Sequence, residues 1–199
     1  MRRRRLLAAV GAASVGGLAG CGERAPTADD GGGESAGDGG GDGGGDAGTD
    51  DRDTATDELP TDWPAGEYAD YDATTVAVRT AEGDDVGAVR AAVADTRDKR
   101  VLGLSAAPTL PENAGMLFVY DSPQESLTFI MPDMEFGIDI VYVDADRTIT
   151  RIHNAPEPGP NEDGSEQRYP GSGQYVLEVP YEWTDRNGVG VGDSLSFDL

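Results

Sequence analysis

Two carboxylates interrupt apolar runs in this chain: Asp139 in Ile138-Asp139-Ile140-Val141, and Glu178 in Val176-Leu177-Glu178-Val179. A carboxylate turned toward a core needs a partner, because an isolated buried charge is very costly. Arg100 is the candidate partner, and two outcomes follow from it. Paired, the three groups form a structural ion network, unless strand alternation turns them outward. Around a pocket, Asp139 or Glu178 can act as a general base or bind a polar ligand such as a sugar, with Arg100 orienting it and Met131 at the same site. A second set, Met116, Met131 and Met134 with His153, offers soft ligands suited to copper(I), although methionines in strands commonly serve as core filler. His153 is the single histidine, so no Ser-His-Asp order can be assembled around it, and Gly171-Ser172-Gly173 lacks the spacing of a nucleophile elbow. Phosphate-loop and dinucleotide fingerprints are absent, and the sequence asks for no cofactor.

Short strands must position these groups. Thr74 to Arg79 and Val86 to Val93 flank the turn-like Glu82-Gly83-Asp84-Asp85 and predict a hairpin. Thr96 can cap a short helix running through Arg100 to Leu104, with Val101, Leu102 and Leu104 as its apolar face. Met116 to Tyr120 and Leu127 to Met131 read as two strands separated by Asp121-Ser122-Pro123-Gln124. Ile138 to Val143 and Thr148 to His153 form a second hairpin around Asp144-Ala145-Asp146-Arg147. Ala155 to Gly173, rich in Pro, Gly and acids, reads as a long loop, followed by strands at Tyr175 to Val179 and Ser194 to Phe197. A helical turn at Trp183 to Asn187 stops at Gly188. The expected fold is a β-rich α+β domain: a compact, antiparallel-rich sheet closing toward a small barrel, with one or two short helices.

Five blocks carry a family resemblance over residues 74 to 198. They are Arg100-Val-Leu-Gly103-Leu104, Ala114-Gly115-Met116-Leu117-Phe118, Met131, Ile138-Asp139-Ile140-Val-Tyr-Val-Asp144, and Tyr175-Val-Leu-Glu178 followed by Gly190-Val191-Gly192-Asp193. In their order and spacing the chain resembles the domain of unknown function 192, found in bacteria and archaea and often exported. The resemblance implies a small β-rich domain and brings no established activity. The chain departs from the family pattern at Ile130, where a tryptophan usually precedes the methionine. It departs again at Pro132-Asp133-Met134, where a basic residue and an asparagine are common.

The first 66 residues say where such a domain would reside. Arg2 to Arg5, a weakly apolar run to Leu18 and small residues before Cys21 compose a signal peptide over residues 1–20, of a kind suited to the twin-arginine route. The apolar run is shorter than the roughly 20 residues a membrane-spanning helix needs. Leu18-Ala19-Gly20-Cys21 resembles a lipobox, which makes the single cysteine a lipidation site and anchors the chain on the extracytoplasmic face of the membrane. With Cys21 so used, no cysteine remains for a disulfide or a thiolate metal site. Residues 21–66 carry 13 acids against 2 arginines, with many glycines, and read as a disordered tether. Residues 67–199 read as the globular domain, with 25 acids and 9 bases, Lys99 being the only lysine.

That acid excess resembles a halophilic surface, kept hydrated in molar salt. It also argues against nucleic acid as a partner, since phosphate binding needs a basic patch. The chain therefore reads as a lipid-anchored, extracytoplasmic binding or envelope-maintenance module, monomeric and non-enzymatic, with its ligand unidentified. The rival readings are a hydrolase-like or glycan-active enzyme using Asp139 and Glu178, and a copper(I)-binding protein using Met116, Met131 and Met134.

Overall fold

The computed structural model describes residues 59–199; the signal segment, Cys21 and most of the tether lie outside the described residues. Seven strands form a single curled sheet in the order β5-β4-β6-β3-β2-β1-β7. They are β1 (Ala73–Arg79), β2 (Asp85–Ala94), β3 (Ala114–Phe129), β4 (Ile138–Val143), β5 (Ile149–Ala155), β6 (Tyr169–Pro180) and β7 (Ser194–Ser196), with helices α1 (Arg97–Leu102) and α2 (Trp183–Asn187). Both expected hairpins, β1–β2 and β4–β5, are antiparallel pairs. The β2–β3 pair is parallel, with α1 in the crossover between them, as a parallel connection requires an excursion out of the sheet.

The sheet curls until its two edge strands meet. Ile149 N–H donates to Asp193 O at 2.8 Å, Gly192 N–H to Ile149 O at 2.9 Å and Leu195 N–H to Arg147 O at 2.8 Å, around a bridge between Thr148 and Ser194. Side chains from both edges, Ile149 on β5 and Leu195 on β7, share one buried cluster with Val76, Leu117, Val141 and Leu177. That cluster fills the enclosed side. The outer face carries a second cluster, including Met116, Phe118, Ile140, Tyr142 and Val176. Because both faces are covered, β4 is buried at all six positions and reads as a continuous apolar run rather than an alternating one.

Three excursions cover the outer face: the segment before β1, α1 with its following loop, and the turn between β3 and β4. The first of these changes the expected domain boundary. Trp63 is buried in the outer cluster, its ring 5.3 Å from that of Tyr68, and its Nε1–H donates to Gly115 O at 2.8 Å. Tyr68 is buried as well, and its hydroxyl accepts from Ala106 N–H at 3.1 Å. The globular part thus includes residues expected to belong to the tether.

Other departures have local causes. The two strands expected around Asp121-Ser122-Pro123-Gln124 are one strand, β3, whose register against β6 shifts between Val119 and Leu127. The irregular stretch leaves Pro123 exposed, where its missing N–H costs no ladder bond. β6 begins at Tyr169, inside the expected loop. Gly171 permits this: a Cβ there would lie 2.6 Å from the Tyr142 ring. Thr96 caps α1 as expected, accepting from Lys99 N–H at 3.3 Å. Of the expected apolar face, Leu104 is buried while Val101 is 72% exposed.

Candidate functional site

Glu178 sits on β6 between Met116 of β3 and Ile140 of β4, two members of the outer cluster, so alternation points its side chain to the outer face. There the three excursions do not fill all the space. A cavity of about 390 Å³ remains, bounded by α1 and its loop, β3, the β3–β4 turn and β6, with Glu178 in its lining. Phe118 and Phe129 meet edge to face in its wall, ring centres 4.9 Å apart. Gly103, at φ 52°, turns the chain out of α1 along the same wall. Val101 and Ile130, both exposed, belong to the lining too, which gives the cavity an apolar opening.

The Glu178 carboxyl is 5% exposed and makes neither a hydrogen bond nor an ion pair among the described residues. The side chain lines the cavity, and neither oxygen is a sealed atom left without a partner. Burial alone pushes its pKa from 4.5 up to about 8, since the low-dielectric surroundings penalise the charged form and nothing compensates. Tyr68, Tyr120 and Tyr142 lie close enough to feel its charge.

The expected partner is committed elsewhere. Arg100 lines the cavity, but its Nη1 donates to the carbonyls of Asp95 and Val119, each at 2.7 Å, and its guanidinium lies 4.8 Å from the centre of the Tyr120 ring. It joins α1 to β3 at Val119 by bonding backbone, and the expected ion network of Arg100, Asp139 and Glu178 does not form.

Asp139 follows a different course. In the β4–β6 register it stands opposite Val179, while Ile140 stands opposite Glu178. The two carboxylates therefore face opposite sides of the sheet and do not converge. Asp139 is fully buried, and four donors satisfy it. Glu182 N–H and Thr184 N–H donate at 2.8 Å each, the Thr184 hydroxyl at 2.6 Å and Asn154 Nδ2 at 3.1 Å. Burial raises its pKa and these hydrogen bonds oppose the rise. Its work is structural: it holds the turn at Glu182, φ 59°, that redirects the chain from β6 into α2.

The five sequence blocks now have places in one curled sheet, and comparison with known proteins fits that placement. The family model for DUF192, described as an uncharacterized ACR, matches residues 77–197. The chain belongs to the DUF192 family. A crystal structure from Sinorhizobium meliloti, described as a candidate transcription regulator, is 26% identical with a TM-score of 0.57, over 64% of this chain and 95% of that one. A protein of unknown function from Novosphingobium aromaticivorans is 25% identical with a TM-score of 0.54, over 64% of this chain and 87% of that one. No curated protein matches the chain.

In this DUF192 domain three of the four positions that depart from the family pattern, Ile130, Pro132 and Met134, line the cavity, while Asp133 is exposed outside that lining. Met131 lines it as well and is fully buried, as is Met116 beside Glu178. The methionines are thus packed around the cavity as part of the outer cluster, with Met134 half-buried against it. His153 is not in that lining. Its Nε2 pairs with Pro170 O at 2.9 Å, and its ring lies against those of Tyr142 and Tyr169. Among the described residues no three His, Asp or Glu side chains gather as a metal-ligand set, and no helix is long and apolar enough to cross a membrane.

Proposed function

We propose that this chain is a lipid-anchored, extracytoplasmic binding module whose ligand enters the Glu178 cavity. One observation carries the binding role: a buried carboxyl without a partner, facing a cavity of about 390 Å³ with an apolar opening. Buried polar groups in folded proteins are normally hydrogen-bonded, and the missing partner is what a bound ligand supplies. The size lies within the range of roughly 300–1,000 Å³ usual for small-molecule sites. A hydrolase using Asp139 with Glu178 loses its basis, since the sheet separates the two groups. Nucleic acid as a partner finds no support in a domain with 25 acids and 9 bases.

Protein-observed NMR with three panels of small aliphatic molecules (amines, alcohols and carboxylates) tests the cavity. The expected result is that at least one class shifts the Met131 and Ile138 methyl signals. Silence toward all three would overturn the binding role. The anchor rests on Leu18 to Cys21 and has its own measurement. Mass spectrometry of the mature N-terminus should find Cys21 first and lipidated, and Cys21→Ser should release the protein from membranes. An unmodified N-terminus at another residue would end the anchoring proposal.

A further inference from the structure

We infer that the ligand group received by Glu178 is a primary ammonium on an aliphatic chain, the ammonium bound at the carboxylate and the chain leaving past Val101 and Ile130. The assignment rests on the cavity being a ligand site and names what enters it.

The walls select the charge. Around Glu178 the lining offers aromatic rings, thioethers and aliphatic groups, among them Phe118, Phe129, Met131 and Leu104. Ring faces carry negative potential and attract cations, so a carboxylate among them repels an anion and welcomes an ammonium. A polyol would need several donors and acceptors distributed around it. The lining supplies few: besides Glu178 and Arg100 it holds the Tyr120, Thr128 and Ser105 hydroxyls, and that of Ser105 is already given to Leu102 O at 2.7 Å. Arg100, the one cation in the lining, does not take the ligand's place, because its guanidinium is held by two carbonyls. A primary ammonium brings N–H donors to a carboxylate that has none, which a quaternary ammonium cannot do. The apolar opening, with Val101 72% and Ile130 40% exposed, suits an aliphatic chain better than a second charge.

Binding of such a cation expels a proton. The empty site is largely protonated at pH 7, because burial holds Glu178 at about 8, whereas an alkylammonium resembles lysine and keeps its proton to about pH 10.4. The groups that face Glu178 from the other elements do not titrate in this interval. Tyr68, before β1, and Tyr142, on β4, are pushed up to about 12 by burial, Tyr120 on β3 is raised by burial as well, and Arg100 on α1 is held by two carbonyls. Affinity for an amine must therefore rise with pH below 8, by about tenfold per unit. A neutral acceptor of the Glu178 proton would show affinity nearly flat below pH 8 and falling above it.

The test is isothermal titration of the full chain, at constant salt and pH 6, 7 and 8, with n-pentylamine, 1-pentanol and pentanoate. Pentylamine is expected to bind at least tenfold more tightly than the other two at pH 8, with affinity rising from pH 6 to 8. Glu178→Gln is expected to remove both the preference and the pH dependence. Equal or tighter binding of pentanol or pentanoate, or amine binding that weakens as pH rises, would overturn the ammonium assignment while leaving the cavity a ligand site. Failure of all three probes at every pH would instead remove the binding role itself.

Discussion

Replacing Glu178 by glutamine should stabilise the domain by about 4 kcal/mol at pH 8, by about 2 kcal/mol at pH 6 and by almost nothing at pH 4. In the folded state the carboxyl keeps its proton up to about pH 8, against 4.5 for an unconstrained glutamate. Between these values the unfolded chain has released its proton and the folded chain has not. Stability therefore falls with rising pH, at about 1.4 kcal/mol per unit. The neutral acid and the amide are similar in size and polarity, so the variant lacks this loss and differs little from the parent below pH 4.5. Urea unfolding at the three pH values measures it. A pH-independent difference would show that Glu178 is ionised in the folded protein and has a partner in solution. Stabilisation by removing a charge is also the usual mark of a group retained for a task other than folding.

Trp63→Ala should cost about 3–5 kcal/mol, as removal of a large buried aromatic side chain generally does. The indole is 5% exposed, stacks at a tilt on Tyr68 and gives its one donor to Gly115 O. Its loss opens space beneath the segment that covers the outer face and leaves the Gly115 carbonyl without that donor. Trp63→Phe separates the two contributions: it keeps most of the ring and loses the hydrogen bond, at a cost of about 1 kcal/mol. Denaturant midpoints for both variants decide the matter. A loss below 1 kcal/mol for the alanine variant would return residues before Tyr68 to the tether.

Much of the sheet was legible where information is local. Alternation and turn residues gave the β1–β2 and β4–β5 hairpins, and Thr96 marked the start of α1. Trp63 was not legible, because it lies in an acidic, glycine-rich stretch and its partners, Tyr68 and Gly115, lie 5 and 52 residues away. The parallel β2–β3 pairing leaves no periodic mark either. At the site, one signal picked out both carboxylates, an acid within an apolar run, yet their environments are opposite. Asp139 meets Thr184 and Asn154, residues 45 and 15 positions later. Glu178 lines a largely apolar cavity and has no hydrogen-bond partner among the described residues. Local sequence shows that an acid is buried; distant residues determine whether it is satisfied.

The closed sheet also links the two ends of the domain in time. β7 pairs with β1, Leu195 opposite Val78, so among the described strands the seventh to be synthesised lies beside the first. Until residue 194 has emerged, β1 has a partner on one side only, and the entropy of closing so long a loop must be met in a single late step. A chain stopped a few residues early lacks both this ladder and the contacts of Phe197 with Tyr175 and Arg147. Closure of the curled sheet thus waits on the β7 segment.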